Sequence, residues 1–156
     1  MRTIKSIDDA RKLIGEEIGL SDWSVIDQHH IDQFAEATAD HQWIHVDTER
    51  AAREMPDGKT ILHGYLTISL IPMLTNKFIY VENLARAVNF GLNKVRFYAP
   101  INVGSRLRAR ASILQARQRA GALVLTSEVH IEVENQKKPV CVAETLSMYF
   151  FNDRED

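Results

Sequence analysis

The hydrophobic period of the chain changes near Glu82, and this change constrains the fold more than any other feature. Before Glu82, apolar residues recur at the spacing of helical turns, and residues 64–78 are apolar on nearly every face. After it, apolar and polar residues alternate with a period of two in residues 107–113 and 123–133, as in strands with one buried face. Residues 87–97 form another strand, although their alternation is poor. Helices therefore come first along the chain, and strands follow.

This order predicts an α+β fold in which an antiparallel sheet wraps around a long central helix, because that helix is too apolar for the surface. We expect four long strands and a short extended piece near Trp23. The length fits a single domain over residues 1–156. Within it, residues 1–20 form an N-terminal helical segment, and residues 151–156 form a polar tail that frays.

The composition excludes several classes of protein. The net charge is −2 with both signs intermixed, so neither nucleic acid nor an anionic membrane is expected as a partner. Cys141 is the only cysteine, which rules out an internal disulfide, and its valine neighbours predict a buried, inert thiol. The N-terminus lacks the apolar stretch of a signal peptide, and the apolar run 61–74 is too short to span a membrane. We therefore expect a cytoplasmic protein.

An acid and an imidazole lie five residues apart, at Asp40 and His45, in a loop predicted to follow a helix that ends near Ala39. A carboxylate and a neutral imidazole can hold one water between them and move its proton. The residues alone leave two interpretations open, a catalytic pair and an ordinary polar loop. Trp43 and Ile44 flank the pair and should draw the loop toward the core, which favours the catalytic interpretation.

Gly64 opens the apolar helix, where backbone N–H groups have no partner inside the helix. Such an amide can stabilise the negative charge that develops on a thioester oxygen. The alternative is a glycine that allows close packing or a tight turn, and on this residue alone that alternative is preferred. His63, which precedes it, either lines the entrance to the site or has a structural role.

Two other kinds of site are weaker candidates. His41, His45 and Asp47 would ligate zinc only if the segment were helical, and no His-Glu-x-x-His pattern is present, so we expect no metal. The arginine stripe at positions 106, 108 and 110 could meet phosphates, but a solvated strand face explains it better. Asn93 and Arg96 could likewise reach a ligand or a partner subunit. No nucleotide-binding glycine motif or nucleophilic serine motif occurs.

The chain resembles the MaoC-like, or (R)-specific enoyl-CoA hydratase, family of hotdog-fold proteins over about residues 25–150. The motifs that carry the resemblance are Phe34-Ala35-x-x-Thr38-x-Asp40-x4-His45, then His63-Gly64, then Gly91-Leu92-Asn93-Lys94-Val95-Arg96-Phe97. In this form the motifs are similar to the branch that contains nodulation protein N and mycobacterial (R)-hydratases.

The resemblance implies reversible hydration of trans-2-enoyl-CoA to (3R)-hydroxyacyl-CoA, with no metal or redox cofactor. Asp40 would be the general base, His45 would orient the water, and the Gly64 amide would receive the thioester oxygen. It also implies a homodimer whose sheets join edge to edge. The substrate would be an acyl-CoA or acyl-carrier-protein thioester, with its acyl chain between helix and sheet and its coenzyme A arm across the dimer interface.

For substrate contacts, the residues expected are Trp43, His63, Tyr65, Asn93 and Arg96.

This chain departs from the family pattern at two places. The usual Gly-Asp-x-Asn-Pro-x-His becomes Ala39-Asp40-His41-Gln42-Trp43-Ile44-His45. A serine common on the central helix is replaced by Pro72, and a proline inside a helix is expected to kink it. Two rival functions stay open because a hotdog fold does not fix activity. One is an acyl-CoA thioesterase, and the other is a non-catalytic acyl-thioester binding protein.

Overall fold

The computed structural model describes residues 1–152. The strands found in this part of the chain are β1 (Arg2–Ile4), β2 (Glu17–Leu20), β3 (Ser24–Val25), β4 (Ile79–Val81), β5 (Leu84–Phe97), β6 (Arg106–Arg119), β7 (Ala122–Val133) and β8 (Cys141–Phe151). The helices are α1 (Ile7–Lys12), α2 (Gln28–Thr38), α3 (Trp43–Val46), α4 (Thr48–Glu54), α5 (Gly64–Ser69) and α6 (Ile71–Thr75).

The main sheet is antiparallel and has six strands, in the order β2-β6-β7-β8-β5, with β3 also paired to β6. Strands β1 and β4 form a separate parallel pair. The four long strands are β5 to β8, and β3 is the short extended piece expected beside Trp23. The predicted α+β class and antiparallel sheet are therefore confirmed.

The alternating pattern of β6 explains how the sheet meets the core. One face of this strand is buried, and the arginines that alternate with it are more exposed. The buried residues of the strand pack in one cluster with apolar residues of the helical segment. The strand contributes Leu107, Ala109, Ala111 and Ile113, and the helical segment contributes Leu66, Leu70, Ile71 and Leu74. The sheet thus packs against the central helical segment, as the sequence predicts.

The prediction of one long central helix over residues 64–78 is wrong in detail. The segment is divided at Leu70 into α5, of six residues, and α6, of five. Pro72 lies in the first turn of α6 and lacks a backbone N–H, so it cannot donate to a carbonyl of the preceding turn. A proline is compatible with the first turn of a new helix, and the chain therefore stops one helix and starts another.

Both ends of the chain also differ from the prediction. Within residues 1–20 the helix covers only Ile7–Lys12, and strands β1 and β2 lie on either side of it. Phe151, assigned to the polar tail, is the last residue of β8 and packs on the core. Residues 153–156 of that predicted tail lie outside the described residues.

The thiol of Cys141 is buried, and burial raises its pKa to about 11. The prediction of a buried thiol is confirmed. Over residues 1–152, no helix is long and apolar enough to cross a membrane.

Candidate active site

Asp40 is placed by the end of helix α2. The helix begins after Asp27, whose side chain accepts a hydrogen bond from the backbone N–H of His30, and it ends at Thr38. Ala39 then takes a left-handed conformation, with φ of 57°, which turns the chain sharply away from the helix axis. Asp40 follows this turn and is exposed to solvent.

His45 lies in a helix rather than in the predicted loop. Residues Trp43–Val46 form α3, and a helix of four residues is too short to show a helical period in the sequence. The side chain of His45 is 7% exposed. Its Nδ1 lies 2.7 Å from the carbonyl oxygen of Ile61. Because a carbonyl can only accept, Nδ1 carries the proton, and the neutral ring presents a lone pair at Nε2.

Gln28 holds the backbone of His45 in place. This first residue of α2 donates from Nε2 to the His45 carbonyl oxygen over 2.8 Å, and its Oε1 accepts from the hydroxyl of Thr60. The sequence analysis missed Gln28, Thr60 and Ile61. Their contacts join residues that are far apart in the chain, so no motif or spacing could have indicated them.

His63 is part of the same cluster and does not line an entrance, since only 2% of it is exposed. Its Nε2 donates to the backbone carbonyl oxygen of Asp40 over 2.9 Å. Its ring stacks on that of His45, with centroids 3.8 Å apart and planes at 25°, and it also packs against Phe34 at 5.1 Å. The residue expected to touch substrate therefore contacts both members of the predicted pair.

The structure brings Asp40, His45 and His63 together, with one nitrogen or oxygen atom from each within 4.8 Å of the others. Burial lowers the pKa of His45, and the nearby His63 ring acts in the same direction, whereas the hydrogen bond to the Ile61 carbonyl and the charge of Asp40 act against it. The balance keeps His45 neutral over a wider pH range. The cluster thus places an exposed carboxylate beside a buried, neutral base.

Gly64 is the first residue of α5, so its N–H has no acceptor within that helix. A Cβ added at this position would lie 3.1 Å from the ring of Phe97, at the end of β5. The close approach explains why the smallest residue is favoured here. It also places Phe97, which the sequence analysis named only as the end of a family motif, against the start of the helix.

The other predicted contact residues are scattered. Trp43 is half-buried beneath the guanidinium of Arg50, which lies 4.1 Å from its ring centroid, and Tyr65 is 75% exposed. Asn93 and Arg96 are exposed on β5, and Arg96 faces away from the core because its neighbour Val95 packs on it. Their roles toward substrate stay predictions.

The arginine stripe on β6 is occupied by carboxylates. Arg108 and Arg110 both donate to Glu132 of β7, over 2.7 and 3.0 Å, and Arg106 donates to Glu134 over 2.7 Å. Cross-strand ion pairs of this kind agree with the solvated strand face expected from the sequence. Of the metal set considered from the sequence, His41 lies before α3 and so does not share a helix with His45, and the Asp47 carboxylate accepts from the backbone N–H of Arg50.

A chamber of about 760 Å³ lies between the central helical segment and the sheet. Its walls include residues at the end of α5, in α6, and in β5, β7 and β8. Within α5, only the last two residues, Ile68 and Ser69, line the chamber. None of the described residues that line it belongs to the cluster of Asp40, His45 and His63. The chamber and the cluster are therefore separate features at opposite ends of α5.

Comparison with known proteins gives consistent matches. The model of the MaoC like domain family matches residues 9–135. The chain is 47% identical over 150 residues to 3-hydroxyacyl-thioester dehydratase Z of Mycobacterium tuberculosis (strain ATCC 25618 / H37Rv), covering 96% of this chain and 99% of that protein. It is 42% identical over 153 residues to nodulation protein N of Rhizobium leguminosarum bv. viciae, covering 96% and 95%. The solved monoamine oxidase regulatory protein from Archaeoglobus fulgius shares the fold, with a TM-score of 0.76, 23% identity and coverage of 97% and 98%.

Proposed function

The chain belongs to the family of MaoC-like domains, and we propose that it is an (R)-specific hydro-lyase that adds water reversibly to trans-2-enoyl thioesters. A relative of nearly equal length, 47% identical, is a 3-hydroxyacyl-thioester dehydratase. The observation that carries the proposal is the cluster itself. Asp40 and a neutral His45 lie within hydrogen-bonding reach of a shared water, beside a helix start with a free amide.

The tautomer of His45 suits this chemistry. Since Nδ1 donates to the Ile61 carbonyl, Nε2 is left to accept a hydrogen bond from water. The carboxylate of Asp40 is a second acceptor, with an oxygen within 4.8 Å of a ring nitrogen of His45, and a water bonded to both side chains would span about two hydrogen-bond lengths. The pair would thus fix the water with its oxygen lone pair free to attack.

In the hydration direction, the water oxygen forms a bond to C3 of the enoyl group while Asp40 takes a water proton. The electrons of the C2–C3 double bond move toward the thioester carbonyl, whose oxygen becomes negatively charged. The Gly64 N–H donates to that oxygen. The proton that Asp40 took from the water then passes to C2, directly or through Nε2 of His45, which completes the (3R)-hydroxyacyl thioester and returns both side chains to their starting states. Dehydration follows the same path in reverse.

The chamber would hold the acyl chain, since it extends from the far end of α5 between helix and sheet. One long wall is β5, an edge strand that is exposed along nearly its whole length. We expect a second copy of the chain to cover this strand, which would make a homodimer with joined sheets and bring Asn93 and Arg96 near the coenzyme A or carrier arm. The cytoplasmic location expected from the sequence stays a prediction.

The test is turnover of crotonyl-CoA by the wild-type protein and by Asp40→Asn and His45→Ala variants, with His41→Ala as a matched control on the exposed surface. We expect the enoyl absorbance to fall without release of free thiol. Each site variant should lose roughly 10²–10⁴-fold in kcat, because it removes an acid–base group, and the control should not. Release of thiol would instead identify a thioesterase, and full turnover by both site variants would disprove the role of the pair.

A further inference from the structure

His63 connects the three parts of the proposed active site. Its Nε2 donates to the backbone carbonyl oxygen of Asp40 over 2.9 Å, and its ring stacks on that of His45. Its own carbonyl oxygen accepts from the backbone N–H and the hydroxyl of Thr67 in α5, over 3.1 and 3.2 Å. Gly64 is the next residue along the chain, so His63 joins the acid, the imidazole and the start of the helix that carries the free amide.

The proposed reaction needs these three parts at fixed distances from one another. Conjugation keeps an enoyl thioester planar, so the carbon that water attacks and the oxygen that the Gly64 amide would bind cannot move independently. A misplacement of about 1 Å in such a site can cost about 10²-fold in rate. Asp40 is exposed and follows the left-handed turn at Ala39, so burial of its own side chain does not hold it in place. The hydrogen bond from His63 restrains its backbone from the core side.

The side chain of His63 suits this role better than an apolar or an amide side chain would. Only 2% of the residue is exposed, so it cannot contact substrate directly, and the ring of Phe34 packs against it. Its Nδ1 has no hydrogen-bond partner among the described residues, and proteins rarely leave a buried polar atom unpaired. A phenylalanine would stack without this defect, and a glutamine would donate without a ring. Histidine is the smaller of the two side chains, with tryptophan, that offer both a flat ring and a ring N–H donor.

We propose that His63 is a positioning residue for hydration, which holds Asp40 and the ring of His45 where both can bond one water at a fixed place relative to the Gly64 amide. The expected effect on rate rests on the proposed function, whereas the effect on His45 can be measured without substrate. Burial is the main cause of the lowered pKa of His45; of the titratable neighbours, His63 before α5 lowers that pKa further and Asp40 after α2 raises it. Loss of His63 should therefore raise the pKa of His45.

The first measurement is an NMR titration of the histidine rings in the free protein, with the His45 signals assigned by their absence from His45→Ala. In the wild type we expect the Nδ1–H tautomer of His45 and a pKa below the usual value. The pKa should rise in His63→Gln, which can donate but has no ring, and in His63→Phe, which keeps a ring whose face attracts the imidazolium but cannot donate. An unchanged pKa of His45 in both folded variants would overturn the proposal.

The second measurement is crotonyl-CoA hydration across the same pH range. Each His63 variant should lose about 10–100-fold in kcat with little change in KM, because the reacting groups are displaced and no substrate contact is removed. The acid limb of kcat/KM should move to higher pH together with the pKa of His45, since protonation takes the lone pair that bonds the water. Val124→Ala, at a buried position in a separate apolar cluster, is the stability control and should change neither kcat nor the acid limb.

Melting curves show which variants are folded. If neither His63 variant folds, Phe34→Leu, which loosens the packing against the His63 ring, takes their place with the same expected directions and smaller effects. A loss of kcat with an unmoved acid limb would mean a merely structural role and would overturn the proposal. Absence of hydration by the wild type would refute the proposed function and leave the NMR result standing.

Discussion

Strands β6 and β5 of the main sheet differ in how much of their surface is buried within a single chain. In β6, every second residue from Leu107 to Ile113 is buried against the helical segment, and Ile113 is fully inaccessible. In β5, thirteen of the fourteen residues are exposed, among them the apolar Val88, Phe90 and Leu92. Both strands have the same length and lie in the same sheet, so their difference comes from what covers them.

An exposed edge strand with apolar side chains is a surface that soluble proteins usually cover or protect. Strand β5 is long, lies at the edge of the sheet, and forms one wall of the chamber. Strand β6 is buried by contacts within the chain, and the proposed second copy would bind along β5. The comparison thus separates residues that stabilise the fold from residues that would build the dimer and its substrate chamber.

The largest effect expected from this comparison is on stability. Ile113→Ala removes three carbon atoms from a fully buried side chain and should lower the free energy of unfolding by about 2–5 kcal/mol. Val88→Ala, at a position that is 43% exposed, should cost less than about 1 kcal/mol. Urea unfolding at low protein concentration measures both. Equal losses would mean that β5 is already packed within one chain and that the two strands do not differ.

A second prediction concerns association. Leu92→Glu places a charge among the exposed apolar residues of β5 and should weaken the dimer by about 2 kcal/mol or more, roughly thirtyfold in Kd, because the carboxylate would be buried without a partner. Sedimentation equilibrium measures the change. Glu16→Lys, an exposed charge change beside the opposite edge strand, is the control and should leave the Kd unaltered. A wild-type protein that stays monomeric at every concentration would contradict the proposed dimer.

The sequence predicts strand β6 well because burial on one face leaves an alternating pattern, as in residues 107–113. It predicts β5 less well, since nearly all of that strand is exposed within one chain and no period marks its faces. The sequence indicates a kink at Pro72 but not the division into two helices at Leu70, because a proline fits the first turn of a new helix as well as it kinks a continuous one.

For the candidate site, the motif identifies Asp40 and His45, and the structure brings them together. Their surroundings could not be read in the same way. The stacking of His63 on His45 and the hydrogen bond from His45 to Ile61 depend on where separate segments meet, and such contacts have no fixed spacing along the chain. Sequence motifs give the reacting groups, and tertiary contacts set their tautomers and pKa.

The smallest predicted effect lies where the two regions meet, at the contact between Gly64 and Phe97. Gly64→Ala would put a methyl group 3.1 Å from the Phe97 ring, which is 48% exposed and can yield by a few tenths of an ångström. We expect kcat for crotonyl-CoA to fall about tenfold, less than the 10²–10³-fold that follows removal of an oxyanion donor, because the amide is shifted and not lost. The variant Phe97→Ala provides the space, so the double variant should be no slower than Phe97→Ala alone. If the double variant were as slow as Gly64→Ala, the loss of activity would not come from the contact between the added methyl group and Phe97. An unchanged kcat in Gly64→Ala would argue that this amide does not bind the thioester oxygen.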